Sequence, residues 1–130
     1  MSLRSPLGRV LGLGSAKEGS GHWYAQRVTA VALVVLGIWL VASLVLLGDA
    51  ATTHAAVTHW LSAPFSAVMC VLLLVVGAYH AMLGLQVVLE DYVGDHGTRL
   101  VAIVVVKWAL IVAALVGVFA VLRVAFGVRA

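Results

Sequence analysis

Three long stretches of this chain carry almost no charge, and they decide what it can fold into. Val28–Gly48 runs 21 residues without an acid or a base, Phe65–Leu89 runs 25, and Leu100–Leu122 runs 23 with Lys107 as the one exception. A helix needs about 20 apolar residues to cross the hydrocarbon core of a bilayer. The runs are continuously apolar rather than alternating, so membrane strands are excluded. The expectation is an all-α integral membrane protein. Three transmembrane helices, at about 27–48, 64–90 and 99–126, run up-down-up behind a basic interfacial segment at about 1–26. The composition points the same way. The chain is 64% hydrophobic and 10% charged, against about 25% charged in a soluble domain.

The net charge of +3 comes from a few basic residues flanking the runs, which fits a membrane surface and not nucleic acid. Cys70 stands alone in an apolar run. It has no partner for a disulfide and reads as a small buried hydrophobe. The N-terminal stretch contains Arg4, Arg9 and Lys17 against Glu18. Leu3, Leu7, Val10 and Leu11 are spaced to lie on the membrane surface as an amphipathic piece, a reading preferred over a transit peptide. The first apolar run is too long, and starts too late, for a cleavable signal. Between the first two runs, Asp49–Ala63 has no Lys or Arg and reads as a solvated loop. His54 and His59 in it lack the further ligand that a metal site needs, and Pro64 suits a helix start. Gly94-Asp95-His96-Gly97-Thr98-Arg99 is a short turn that makes its two flanking helices antiparallel neighbours. On the third helix, Ala113 and Gly117 form a small-x3-small pair for close packing. Lys107 snorkels back toward that turn.

The chemistry concentrates in Gly77–Val93. Residues three, four, seven and eleven apart share a helix face, so Gly77, His80, Gly84, Val87 and Asp91 form one stripe. An ionisable residue deep in a span is a functional candidate, and His80 is the only histidine inside the three runs. Two readings stand against each other: a neutral histidine bonded to a neighbouring helix, and an axial ligand of haem. The glycines one turn to either side favour haem, because the ring needs a surface free of side chains and iron needs an imidazole nitrogen. A bis-histidine haem takes its other ligand from a partner subunit. At the end of the same helix, Glu90-Asp91-Tyr92 is either a plain interfacial cap or a quinone site. A phenol can donate a hydrogen bond to a quinone carbonyl, and a carboxylate at the water boundary can pass it protons. At the start of the first helix, Trp23, Tyr24 and Arg27 are interfacial anchors, unless His22 or Arg27 binds an anionic group there.

The segment His80-Ala81-Met82-Leu83-Gly84-Leu85-Gln86-Val87-Val88-Leu89-Glu90-Asp91-Tyr92 resembles the H-x3-G-x6-D-Y segment of the small hydrophobic membrane anchor subunit of succinate dehydrogenase, respiratory Complex II. His22-Trp23-Tyr24-Ala25-Gln26-Arg27-Val28-Thr29-Ala30 is similar to that family's R-x-T-A opening of helix one. The resemblance implies a subunit that takes part in the tricarboxylic acid cycle and in electron transport to quinone while its partners do the dicarboxylate chemistry. It implies haem b with His80 as axial ligand, Arg27 and His22 at the propionates and Gly84 packing on the ring. Tyr92 then donates to ubiquinone, with Asp91 beside the quinone pocket. The implied partners are a flavoprotein, an iron–sulfur protein and a second hydrophobic anchor that supplies the other haem ligand. Lys107 receives no role. The alternatives are a fumarate reductase-type or other cytochrome b anchor, and a non-redox structural or transport membrane protein.

Basic residues set the orientation. Arg4, Arg9, Lys17, Arg27 and Arg99 lie on the side of the N-terminus and the Gly94–Arg99 turn, with Lys107 near, whereas the other side has none in Asp49–Ala63 and only Arg123 and Arg129 toward the C-terminus. The positive-inside rule puts the N-terminus in the cytoplasm of a bacterium, across its inner membrane, and a mitochondrial inner membrane is the lesser alternative. Single cysteines at positions 54 and 95, in a chain lacking Cys70, test this on intact cells. An impermeant thiol reagent is expected to label position 54 and spare position 95; the reverse pattern overturns the topology.

Overall fold

The computed structural model describes residues 19–127. The amphipathic piece expected around Leu3, Leu7, Val10 and Leu11 lies outside the described residues, as does Arg129. Among the described residues all regular structure is helical. Helix α1 spans Gly19–Leu47, a 3-10 turn Gly48–Thr52, α2 His54–Ser62, α3 Pro64–Tyr92 and α4 His96–Ala125. The helices α1, α3 and α4 are long and apolar enough to cross a membrane. They are apolar on every side: large hydrophobic residues such as Val31, Val45, Val101 and Phe119 are exposed, and among the described residues only Leu36, Ala67, Leu83 and Val121 are buried apolar ones. A helix that is apolar all round needs lipid or other chains about it. The chain is an integral membrane protein of helical class.

Local chemistry sets the helix ends. Gly48 (φ 55) and Gly127 (φ 65) take left-handed conformations just past α1 and α4, which glycine adopts without a Cβ penalty. Pro64 stands at the first turn of α3, and Ala63 before it is extended (φ −67, ψ 127), the conformation that a following proline imposes. That residue separates α2 from α3.

Two boundaries differ from the sequence expectation, each for a physical reason. Helix α1 is already formed at Gly19, the first described residue, about two turns before residue 27, because Ser20–Gln26 contains no proline and the span that follows supplies the nucleus, which outweighs the poor propensity of Gly21. At 29 residues it is about 43 Å long and overhangs a hydrocarbon core of about 30 Å. The expected solvated loop Asp49–Ala63 contains α2, a nine-residue helix too short to be stable alone. Tertiary contact supports it: Trp60 stacks on Trp39 of α1, ring centroids 5.7 Å apart, and Phe65 of α3 meets Trp39 edge-on at 6.1 Å. Such aromatic pairs contribute about 0.5–1.5 kcal/mol beyond burial.

Helix α3 is the middle of the molecule, packing extensively on α4 and on α1 while the two outer helices barely meet. Gly117 lets α4 approach α3, since a Cβ there would sit 3.1 Å from Cδ1 of Leu74. On the other side a Cβ at Gly77 would meet Leu33 Cδ2 of α1 at 3.8 Å. Only Val93, Gly94 and Asp95 separate α3 from α4, so these are antiparallel neighbours.

Asp95 is the N-cap of α4. Its carboxylate accepts the Thr98 backbone N–H at 2.7 Å, and that bond holds its pKa below the ordinary 3.8. A carboxyl whose pKa falls on folding adds stability above its unfolded value and loses it as pH drops through the lower folded one. Asp95→Ala is expected to speed amide exchange at Thr98 near neutral pH, and Asp95→Asn to preserve protection there. Below pH 3.8 the native chain is expected to approach the alanine variant. Equal exchange in all three at neutral pH would remove the cap from the account.

Candidate functional site

The first turns of α1 and the middle of α3 enclose a cleft of about 540 Å³ lined by His22, Trp23, Gln26, Arg27, Ala30, His80, Gly84 and Val87. The extra turns of α1 create it. Positions 22, 26 and 30 are one helical turn apart and share a face, and that face meets the stripe of His80, Gly84 and Val87 on α3. Small residues keep the space open. Ala30 forms part of one wall, and a Cβ at Gly84 would reach 3.4 Å from Nε2 of Gln26. Gly77, expected to flank the same slot, instead takes α1 packing through Leu33 and is not in the cleft wall.

The two nitrogens of His80 are held differently. Thr29 Oγ1 lies 2.9 Å from Nδ1, and Gln26 Nε2 lies 3.4 Å from Nε2. The Thr29 hydroxyl also donates to the carbonyls of Ala25 at 2.8 Å and Gln26 at 3.2 Å. With its proton directed to those carbonyls, Oγ1 is left to accept from the ring. This contact favours the tautomer with the proton on Nδ1 and the lone pair on Nε2. The Gln26 amide donates to that lone pair at a length where a hydrogen bond is weak.

Two other groups are unsatisfied. His22 Nε2 and Gln26 Oε1 are buried without a hydrogen-bond partner, a costly state in a low-dielectric wall. Arg27 sits at the same wall with its guanidinium 5.7 Å from the centre of the Trp23 ring, a cation–π contact. Chemically the cleft offers one imidazole lone pair, a guanidinium, a second imidazole and a spare amide oxygen beside apolar walls. It suits a flat ligand with anionic arms and a metal centre.

Of the residues singled out from sequence, His22, Arg27, His80 and Gly84 come together here. Asp91 and Tyr92 do not. Both are exposed at the end of α3, Tyr92 at 85%, and Tyr92 lies twelve residues from His80, roughly 18 Å along the axis. Beside them, Gln86 donates to Glu90 at 2.8 Å. Sequence reasoning gave no role to Gln26 or Thr29. The signal was present in their helical spacing from His22, four and seven residues on. It becomes visible only once α1 is known to begin before His22.

Comparison with known proteins bears on the whole length. The model of the succinate dehydrogenase/fumarate reductase transmembrane subunit matches residues 1–125. The succinate dehydrogenase hydrophobic membrane anchor subunit of Rickettsia conorii is 38% identical over 99 residues, 76% of this chain and 78% of that one. The subunit of that name in Rickettsia bellii is 35% identical over 104 residues, covering 80% and 82%. The one in Paracoccus denitrificans is 35% identical over 119 residues, covering 89% and 88%. Three apolar spans in sequence and a match running through all of them have one explanation: the chain belongs to the succinate dehydrogenase/fumarate reductase transmembrane subunit family.

Proposed function

We propose that this membrane anchor works in a succinate:quinone oxidoreductase by binding haem b in the α1–α3 cleft and ubiquinone at the end of α3. The observation that carries the reading is the convergence of His22, Arg27, His80 and Gly84 on one cleft. The residues fit the group. Nε2 of His80 has a lone pair facing a weakly bonded, displaceable amide. The buried, unpartnered Nε2 of His22 and the Arg27 guanidinium suit propionate carboxylates. Gly84 and Ala30 leave a flat surface for the ring.

Haem, when bound, supplies reversible one-electron chemistry at its iron. The chain's part is to hold and tune. Thr29 fixes the His80 tautomer and ring plane, as partners of metal-binding histidines commonly do. Arg27 and His22 neutralise anionic arms near the membrane edge, where burying them unpaired would be costly. Tyr92 donates its hydroxyl to a quinone carbonyl, and Asp91 beside it exchanges protons with water as the quinone is reduced. The ring of Tyr92 is exposed in the single chain because the quinone lies against a partner there. A flavoprotein and an iron–sulfur protein carry the dicarboxylate chemistry and deliver electrons to that face. A second hydrophobic anchor would supply the other nitrogen ligand. The chain is a bacterial inner-membrane protein whose N-terminus is cytoplasmic.

In the assembled complex, His80→Ala is expected to abolish or shift the reduced-minus-oxidised visible spectrum while the chain still inserts. An unchanged spectrum removes His80 as ligand. Tyr92→Phe deletes one hydroxyl and keeps the ring. Losing a hydrogen bond worth about 1 kcal/mol lowers quinone reduction roughly fivefold, and further if charge develops on the oxygen. Succinate oxidation by a water-soluble dye and the visible spectrum are expected to stay normal. Undiminished quinone reduction in that variant would make Tyr92 a mere interfacial anchor.

A further inference from the structure

Lys107 is the charge that the proposed function leaves unused. It lies eleven residues into α4, about 16 Å from the helix start, partly exposed, and makes no hydrogen bond or ion pair among the described residues. A lysine at that depth is costly unless something answers its charge.

Its surroundings lie on the face of the molecule away from the cleft. Toward the helix ends is a cavity of about 420 Å³ lined by Glu90, His96, Arg99, Leu100 and Ile103. Deeper in the membrane an apolar slot of about 250 Å³ runs between α3 and α4, its walls including Val75, Tyr79, Met82, Ile111 and Ala114. Met82 is roughly 200° round α3 from His80 by helical rotation, so the slot does not open onto the cleft. On α4, positions 103, 107, 111 and 114 follow at helical spacing on one face. Lys107 lines neither space but lies on the same face of α4, at a level between the polar cavity and the apolar slot.

The order of chemistry along this groove is that of a membrane lipid. Arg99 and Glu90 balance each other in charge within the upper cavity, where Arg99 donates to His96 Nδ1 at 3.0 Å and Gln86 donates to Glu90. Lys107 is the uncompensated positive charge, with apolar space directly below it. A lysine stem is long enough to carry its ammonium back toward the headgroup level. We propose that Lys107 holds the phosphate of a glycerophospholipid from the leaflet on the α3–α4 turn side. One acyl chain of that lipid fills the slot beside Tyr79 and Ile111. The phosphate answers the lysine's charge, and the chain occupies space that neither helix fills.

Native mass spectrometry of the whole complex, delipidated and then given either phosphatidylglycerol or diacylglycerol with the same chains, separates the phosphate from the acyl contribution. Native protein is expected to retain phosphatidylglycerol about fivefold better, the scale of one basic residue at a lipid surface. Lys107→Met, which makes the span more apolar and so leaves insertion intact, is expected to erase that preference, and Lys107→Arg to keep it. Ile111→Trp, filling the slot, is expected to weaken retention of both lipids. Unchanged phosphatidylglycerol retention in either the Met or the Trp variant overturns the site. So does carbodiimide coupling of Lys107 to a carboxylate of another subunit in the native complex, which would make the occupant a partner helix.

Discussion

The contact between Thr29 and His80 is the interaction on which the functional half of this structure depends. Inside hydrocarbon no water is available to satisfy a stray polar group, so the few polar side chains in the spans need answers from protein. Ser43 bonds the Trp39 carbonyl one turn back at 2.8 Å. His80 cannot do this, since an imidazole does not reach its own helix carbonyls as a hydroxyl does, and it takes Thr29 from the neighbouring helix instead. That bond fixes the register of α1 against α3. Once the register is fixed, His22, Gln26 and Arg27 must fall beside Gly84 and Val87, and the cleft follows.

Packing alone would not impose this arrangement. Lipid chains are as apolar as leucine, so helix association in the membrane has little hydrophobic drive and relies on close fit and polar contacts. The α3–α4 pair uses close fit, through Gly117 and Leu74. The α1–α3 pair has the looser approach at Gly77 and compensates with the polar contact. The two sides of α3 are accordingly unlike: one packs closely at Gly117 and leaves only apolar space beside that seam, and the other holds buried polar atoms without partners beside open space.

Much of this was legible in the residues, and the exceptions share a cause. The spans could be read because absence of charge over 20 or so residues has few other meanings, and His80 stood out because histidine is rare at that depth. Helix α2 could not be read, because its support comes from the stacking of Trp60 on Trp39, a residue of α1 far from it in sequence. Gln26 and Thr29 sit where polar residues ordinarily mark the end of a span, so their local appearance was unremarkable. Gly77 and Gly84 looked equivalent around His80. They differ because Leu33 projects from α1 opposite one of them and Gln26 opposite the other. Each miss turns on what faces a residue across a helix pair, a property of the register and not of the local pattern.

Depth gives the last constraint. His80 lies twelve residues from the end of α3 and Lys107 eleven from the start of α4, so the antiparallel pair brings both to a similar level. Yet one is answered within the chain and the other is not, and they face opposite sides. Had Lys107 pointed into the cleft, its positive charge would have stood near the imidazole lone pair, favouring an anion over a metal centre. Its placement on the other side of α3 keeps a second cation away from His80, and Arg27, three residues before Ala30 on α1, is the cation in the cleft lining. The separation of the two cations by α3 thus leaves one guanidinium beside the His80 cleft and places the Lys107 charge on the other side of that helix.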